Sequence, residues 1–154
     1  MDGFVELLVG TYPSWSHLVV RLVLGAIFVA HGAQKLFGWF GGPGLRATIG
    51  AFAAGFGIGA PATVAAALVE TLGGVAMILG LLARPAAAGL AVVMLVAIVK
   101  VHARHGFFLN IAMTPGKGHG VEYNLALLAM ALSIAIGGAG ALSVDRWLVP
   151  LGLD

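Results

Sequence analysis

Cysteine is absent from this 154-residue chain, which excludes disulfides, thiolate metal sites and thiol redox chemistry of its own. Charge is nearly as scarce. Asp, Glu, Lys and Arg make up 9% of the residues, against about 25% in an ordinary soluble domain. So few charged side chains cannot coat a soluble globule of this length. The net charge of +2 is too small and dispersed for a nucleic-acid surface, and the pI near 9.4 reflects scattered loop residues. Alternating apolar and polar segments, which a membrane barrel requires, are also missing. Before Ser16 the charges are Asp2 and Glu6. A cleaved leader needs a basic start, so the first apolar span is expected to serve as its own targeting signal.

What is there is apolar: 60% hydrophobic residues and a mean hydropathy of +1.05. Lipid is therefore expected to be the solvent for most of the exterior. The length suits one domain over 1–154. Helical stretches of about 20 apolar residues cross a bilayer, and four fit, over about 18–37, 61–82, 85–101 and 123–142. The expected fold is all-α, an integral membrane four-helix bundle with short loops, and the chain is multi-pass. Gly41-Gly42-Pro43-Gly44 ends the first span and Pro61 opens the second, at an early helical position where its missing N–H costs little. Arg84-Pro85 marks a tight joint between antiparallel spans two and three. The run 113–120 reads as a flexible loop, since its Gly116-Lys117-Gly118 lacks the spacing of a phosphate loop. Residues 45–56 place Ile49, Phe52 and Phe56 at helical intervals among glycines that weaken a helix, which suits a short interfacial helix in the first loop or a partly re-entrant one. Asp145-Arg146-Trp147 reads as an interfacial anchor. Small residues in span two (Ala66, Ala67, Gly73, Gly74) and span four (Ala126, Ala129, Ser133, Gly137) are expected to let helices approach closely.

A depth ruler of about 1.5 Å per helical residue, anchored at Arg21, Arg84 and Asp145 as boundary charges, sorts the ionisable groups. His31 falls roughly 15 Å deep, Lys35 and Glu70 both roughly 21 Å, Lys100 and His102 roughly 24 and 27 Å. Asn124 and Glu122 follow at roughly 31 and 34 Å. One half of the bundle thus holds His31, Lys35, Glu70, Lys100, His102, Glu122 and Asn124. Glu70 is alone in its apolar run, where a charge costs about 2.5–3.5 kcal/mol. It needs a partner or a proton. Lys35 or His31 is the first choice and Lys100 the second; the bland alternative is an ion pair that only fixes helix register. His102, with Lys100 and Arg104, also reads as an ordinary basic helix end.

His31 and His102 differ by roughly 12 Å in depth, which argues against a bis-histidine haem. A metal centre from Glu70, His31 and His102 has no spacing signature, and no metal is expected. Sidedness stays open. The terminal side has Arg21, Arg84 and Arg146; the other has Lys35, Arg46, Lys100, Arg104 and Lys117, and excluding Lys35 and Lys100 as embedded leaves a tie.

Several of these residues together resemble the DoxX family. They are Arg21-Leu22 to Gly25, His31-Gly32 and Lys35-Leu36, then Glu70, Gly73-Gly74, Leu79-Gly80-Leu81 and Arg84. The stretch from His102 to Phe108, Glu122-Tyr123-Asn124 and the run from Gly138 to Asp145 complete the pattern, with Gly138-Ala139-Gly140 where relatives often have Gly-Pro-Gly. The resemblance implies a four-helix protein of the prokaryotic inner membrane. Some relatives are the membrane subunit of a thiosulfate:quinone oxidoreductase. Others are described as anchoring a redox-detoxification complex with a superoxide dismutase and a sulfurtransferase. Related bundles that form disulfides with quinones need cysteines that this chain lacks.

The leading expectation is therefore a membrane subunit of a quinone-linked oxidoreductase or redox-detoxification complex, with no covalently bound cofactor. Glu70, Lys35 and His102 are the candidate catalytic groups. His31, Lys35, Lys100, His102, Glu122 and Asn124 are the candidates to bind a quinone. Soluble redox proteins and further copies of the chain are candidate partners. A non-catalytic anchor or assembly factor is the alternative, and a small-molecule transporter a third reading.

Overall fold

The computed structural model describes residues 3–148, and its regular structure is helical. The helices are α1 (Gly3–Val9), α2 (Trp15–Phe37), α3 (Gly44–Phe56), α4 (Ala60–Leu79), α5 (Ala83–Ala97), α6 (Glu122–Gly137) and α7 (Val144–Leu148). Three helical stretches, Trp15–Phe37, Ala60–Leu79 and Ala83–His105, are long and apolar enough to cross a membrane. The third is longer than expected, because α5 runs on through a π-helical turn at Ile98–His102 and a 3₁₀ turn at Ala103–His105. The fourth member of the bundle, α6, has 16 residues and a length of about 24 Å. It stops at Gly137, short of the expected boundary near residue 142. Gly138 at φ 80° turns the chain there, and residues 138–143 become a turn that the rest of the fold uses.

Helix α2 packs on α4, α4 on α5, α5 on α6 and α6 back on α2, so the four close on themselves with alternating direction. Leu24 and Phe28 of α2, Met77 of α4, Leu90 and Met94 of α5, and Leu127 and Ile134 of α6 fill the interior. The α2–α4 contact is the closest of these crossings. A Cβ on Gly25 would lie 2.7 Å from the Gly74 carbonyl oxygen, and one on Gly74 would lie 2.7 Å from the Val29 nitrogen. Ala67, Gly73 and Gly74 therefore behave as the small-residue reading of span two expects. Span four does not. Ala126, Ala129 and Ser133 face outward, while Asn124, Leu127, Ala131 and Ile134 face the core. Gly137 packs tightly, against the His17 ring.

At the end of the bundle that carries α1 and α7, two charges expected at the boundary are buried instead. Arg21 and Asp145 are each 1% exposed. The Arg21 guanidinium donates to the Met77 and Ile78 carbonyls at the end of α4, and to those of Ala139, Ala141 and Leu142 in the turn after α6. These are carbonyls that a helix end leaves without partners. Asp145 accepts from the Leu82 and Ala83 amides at 2.6 and 2.8 Å, capping the start of α5 where Leu82 takes a left-handed φ of 47°. Burial pushes the Asp145 carboxyl above its ordinary range, while the Ala83 and Leu82 amides and Arg21 pull it back. The joint between spans two and three is thus Gly80 to Leu82 rather than Arg84-Pro85. Arg84 reaches the Gly10 carbonyl at 2.8 Å, which ties the segment after α1 to α5. Trp147 is exposed, while Asp145, expected with it in an interfacial anchor, is a structural cap.

Candidate functional site

At the opposite end, Lys35 lies in the last turn of α2, just before Gly38 ends that helix in a left-handed conformation. Glu70 occupies the middle of the buried stripe of α4, in series with Thr63, Ala67, Gly73, Gly74 and Met77. The Lys35 ammonium donates to both carboxylate oxygens of Glu70. A lysine stem of four carbons carries the charge from the helix end to the helix middle, and Gly32 makes the approach possible. A Cβ there would lie 2.2 Å from the Thr71 hydroxyl oxygen. Of the two first-choice partners expected on depth, Lys35 and His31, the structure pairs Glu70 with Lys35.

The pair is asymmetric. The Glu70 side chain is 3% exposed and that of Lys35 is 20% exposed. Its open side meets α3, the helix expected at the interface, which packs against both α2 and α4. The Lys35 nitrogen stands 6.0 Å from the centroid of the Phe52 ring, at the outer limit of a cation–π contact of about 6 Å. Phe52 and Phe56 meet edge to face with centroids 5.6 Å apart. Arg104, beyond the π-helical turn of α5, sits 5.1 Å from the Phe56 ring. A chain of contacts thus runs from Glu70 through Lys35, Phe52 and Phe56 to Arg104. Sequence reasoning saw the two phenylalanines as helix spacing and missed them as a cover. Their interval of four residues, beside two cations that needed neighbours, was the available signal.

The remaining candidates divide. His31, one turn before Lys35, lies on the exposed side of α2. Lys100 is exposed on the π-helical turn. His102 is held by the loop before α6, through its Nδ1 and the His119 carbonyl at 2.8 Å. Glu122 accepts the Leu109 amide at 2.9 Å, so its carboxylate fastens the same loop. Asn124 is buried, with its amide nitrogen 3.6 Å from the Met94 sulfur. The structure therefore brings Lys35 and Glu70 together and assigns His102 and Glu122 to a separate loop network. Among the described residues, no three His, Asp or Glu side chains converge as a metal centre would need.

Residue Asn110 was also missed. It is buried, donates to the Thr114 and Lys117 carbonyls and accepts the Thr114 amide at 3.0, 2.7 and 2.9 Å. The loop read as flexible is thus folded around one amide side chain.

The comparisons agree with this architecture. A family pattern described as DoxX matches residues 16–103, a stretch that runs from α2 to the end of the π-helical turn and holds Lys35, Phe52, Glu70 and His102. The chain is also similar to a protein of Mycobacterium tuberculosis (strain ATCC 25618 / H37Rv) described as the uncharacterized membrane protein Rv3486. The two are 32% identical over 150 residues, covering 88% of this chain and 89% of that one. No solved structure matches the chain. With apolar helices of spanning length, a closed helical bundle and a match over more than half its length, the chain is a membrane protein and belongs to the DoxX family.

Proposed function

We propose that the chain is the membrane subunit of a quinone-linked redox assembly in the prokaryotic inner membrane, and that the Lys35–Glu70 pair under Phe52 receives the quinone head group. The observation that carries this reading is the asymmetry of the pair: a carboxylate sealed in the bundle and an ammonium left partly open toward an aromatic ring. The residues fit such a ligand. A quinone head is a flat ring with two carbonyl acceptors; Lys35 has three N–H donors to offer one of them, and Phe52 offers a ring face or edge for the other dimension.

When bound, the quinone supplies two-electron, two-proton redox chemistry, with the electrons delivered by a soluble partner. The chain's own residues do the rest. Lys35 orients a carbonyl oxygen and offsets negative charge that develops on it. Glu70, 3% exposed beside a lysine, can pass a proton across that short contact, the kind of group expected on an intramembrane proton path. Phe52 and Phe56 keep bulk water away from the pair. His31 is placed at the exposed margin, where it can exchange protons with the interface; Lys100, His102, Glu122 and Asn124 are given no part in the site.

A second reading rests on a specific observation too. Both Glu70 oxygens are already satisfied by Lys35, as in a pair that only locks two helices. In that case the chain anchors partner proteins and binds no quinone. A photoreactive quinone analogue separates the two. It should label α3 or the α2–α4 crossing in the wild type and lose that labelling in Lys35→Met. Equal labelling of both, or none in a folded wild type, removes the quinone site and leaves the anchor.

A further inference from the structure

The two ends of the bundle differ in free charge in a way the sequence leaves undecided. By simple counting, three basic residues mark each side once Lys35 and Lys100 are set aside as embedded. The structure changes both sides of that count. Arg21 is 1% exposed and spent on five carbonyls. Arg84 is half-buried and bonded to Gly10, so Arg146 is the exposed basic residue left at the end carrying α1 and α7. At the other end Arg46, Lys100, Arg104 and Lys117 are all exposed. Lys100 is exposed on the π-helical turn near the end of the third span and is not buried inside the bundle.

Acidic residues at that end do not offset this. Glu70 is paired with Lys35, and Glu122, which accepts the Leu109 amide and keeps its charge, is one carboxylate against four exposed basic residues. The same end displays aromatic side chains: Trp39 and Phe40 in the turn between α2 and α3, and Phe107 and Phe108 at the start of the loop before α6, are all exposed. Aromatic rings beside uncompensated Lys and Arg fit a headgroup layer, where rings sit at the boundary and cations meet phosphates. Exposed rings also mark the other end, at Phe4, Tyr12, Trp15 and Trp147, so the difference in charge is what separates the two ends.

We infer that this end, carried by α3, the end of α5 and the loop before α6, docks on the anionic phospholipid headgroups of the cytoplasmic leaflet, with Arg46, Lys100 and Lys117 as its phosphate contacts. The orientation follows from it. The α3 side faces the cytoplasm, and α1 and α7 lie at the opposite face. The Lys35–Glu70 pair then opens toward the cytoplasmic headgroups. The inference does not depend on what that pair binds.

The test uses the full chain in nanodiscs of equimolar phosphatidylcholine and phosphatidylglycerol, with native mass spectrometry of the lipids retained on release. Each surface Lys or Arg is worth on the order of a fivefold preference for an anionic surface. Phosphatidylglycerol should therefore be enriched severalfold on the wild type, and less so as salt is raised. The enrichment should vanish in the triple variant Arg46→Gln, Lys100→Gln, Lys117→Gln and survive in Arg146→Gln. The salt series on the wild type decides the matter even if the triple variant fails to fold. Sidedness is read separately in the cysteine-free chain. A membrane-impermeant maleimide should label Gly3→Cys in intact spheroplasts, and Ala112→Cys only after permeabilisation. Equal retention of the two lipids, enrichment insensitive to salt, or the reverse labelling pattern each overturns the inference, and an acidic protein partner then becomes the occupant of this end.

Discussion

Arg21 and Asp145 hold the same joint from its two sides. The guanidinium closes the carbonyls at the end of α4 and the turn after α6, and the carboxylate closes the amides at the start of α5. Leaving a buried amide without an acceptor costs about 1–3 kcal/mol. Asp145→Ala strips two amides at once and should lower the melting temperature in detergent markedly. Asp145→Asn keeps one carbonyl oxygen and should fall between. Equal melting temperatures for Ala, Asn and wild type would show that the carboxylate does not cap α5.

Lys35 and Glu70 should respond unequally to neutralisation. Glu70→Gln removes the sealed charge and keeps hydrogen-bonding capacity. Lys35→Ala strands a carboxylate in the bundle, a loss on the order of 3 kcal/mol unless Glu70 takes up a proton. Lys35→Ala should therefore lower thermal stability and expression more than Glu70→Gln. An unaltered melting curve for Lys35→Ala would disprove the pairing.

Glycines at the α2–α4 crossing should tolerate nothing larger. Gly32→Ala puts a methyl 2.2 Å from the Thr71 oxygen, and overpacking of this kind costs about 1–3 kcal/mol. Gly50 on α3 has nothing within 4 Å of a built Cβ. Gly50→Ala should keep or raise stability, by up to about 1 kcal/mol from helix propensity alone. Matching losses at positions 32 and 50, measured by thermal unfolding, would contradict the crossing.

The α3 cover should be separable from the fold. Phe52→Ala and Phe56→Ala remove the rings beside Lys35 and Arg104, contacts worth about 0.5–1 kcal/mol each at exposed sites. Stability should change little, while amide exchange in α3 should rise and quinone-analogue labelling should drop. Unchanged exchange in both variants would mean that the rings do not hold α3 down.

How much of this was legible in the sequence varies with the kind of physics. Apolar runs of spanning length announce themselves, and Phe52 and Phe56 at an interval of four announced that α3 is a helix. The isolated Glu70 demanded a partner, and depth narrowed the first choice to Lys35 or His31 without deciding between them. A one-dimensional ruler fails where charge is buried by long-range contact. Arg21 and Asp145 looked like boundary charges because their acceptors and donors lie far along the chain. The same ruler merged His102 and Glu122 with Glu70, since it gives depth and not azimuth around the bundle. Asn110 left no trace, because a short-range turn network has no periodicity to read.

One feature of the Arg21 site bears on how the protein is made. Its outermost acceptor, the Leu142 carbonyl, lies 121 residues downstream. The span carrying Arg21 therefore leaves the ribosome long before its full set of acceptors exists. The Met77 and Ile78 carbonyls answer part of the guanidinium's charge once α4 is made, and the turn after α6 completes the set only near the end of the chain. A chain that stops short of that turn leaves three of the five Arg21 bonds unmade, so the last residues of the bundle finish a joint that the first span began.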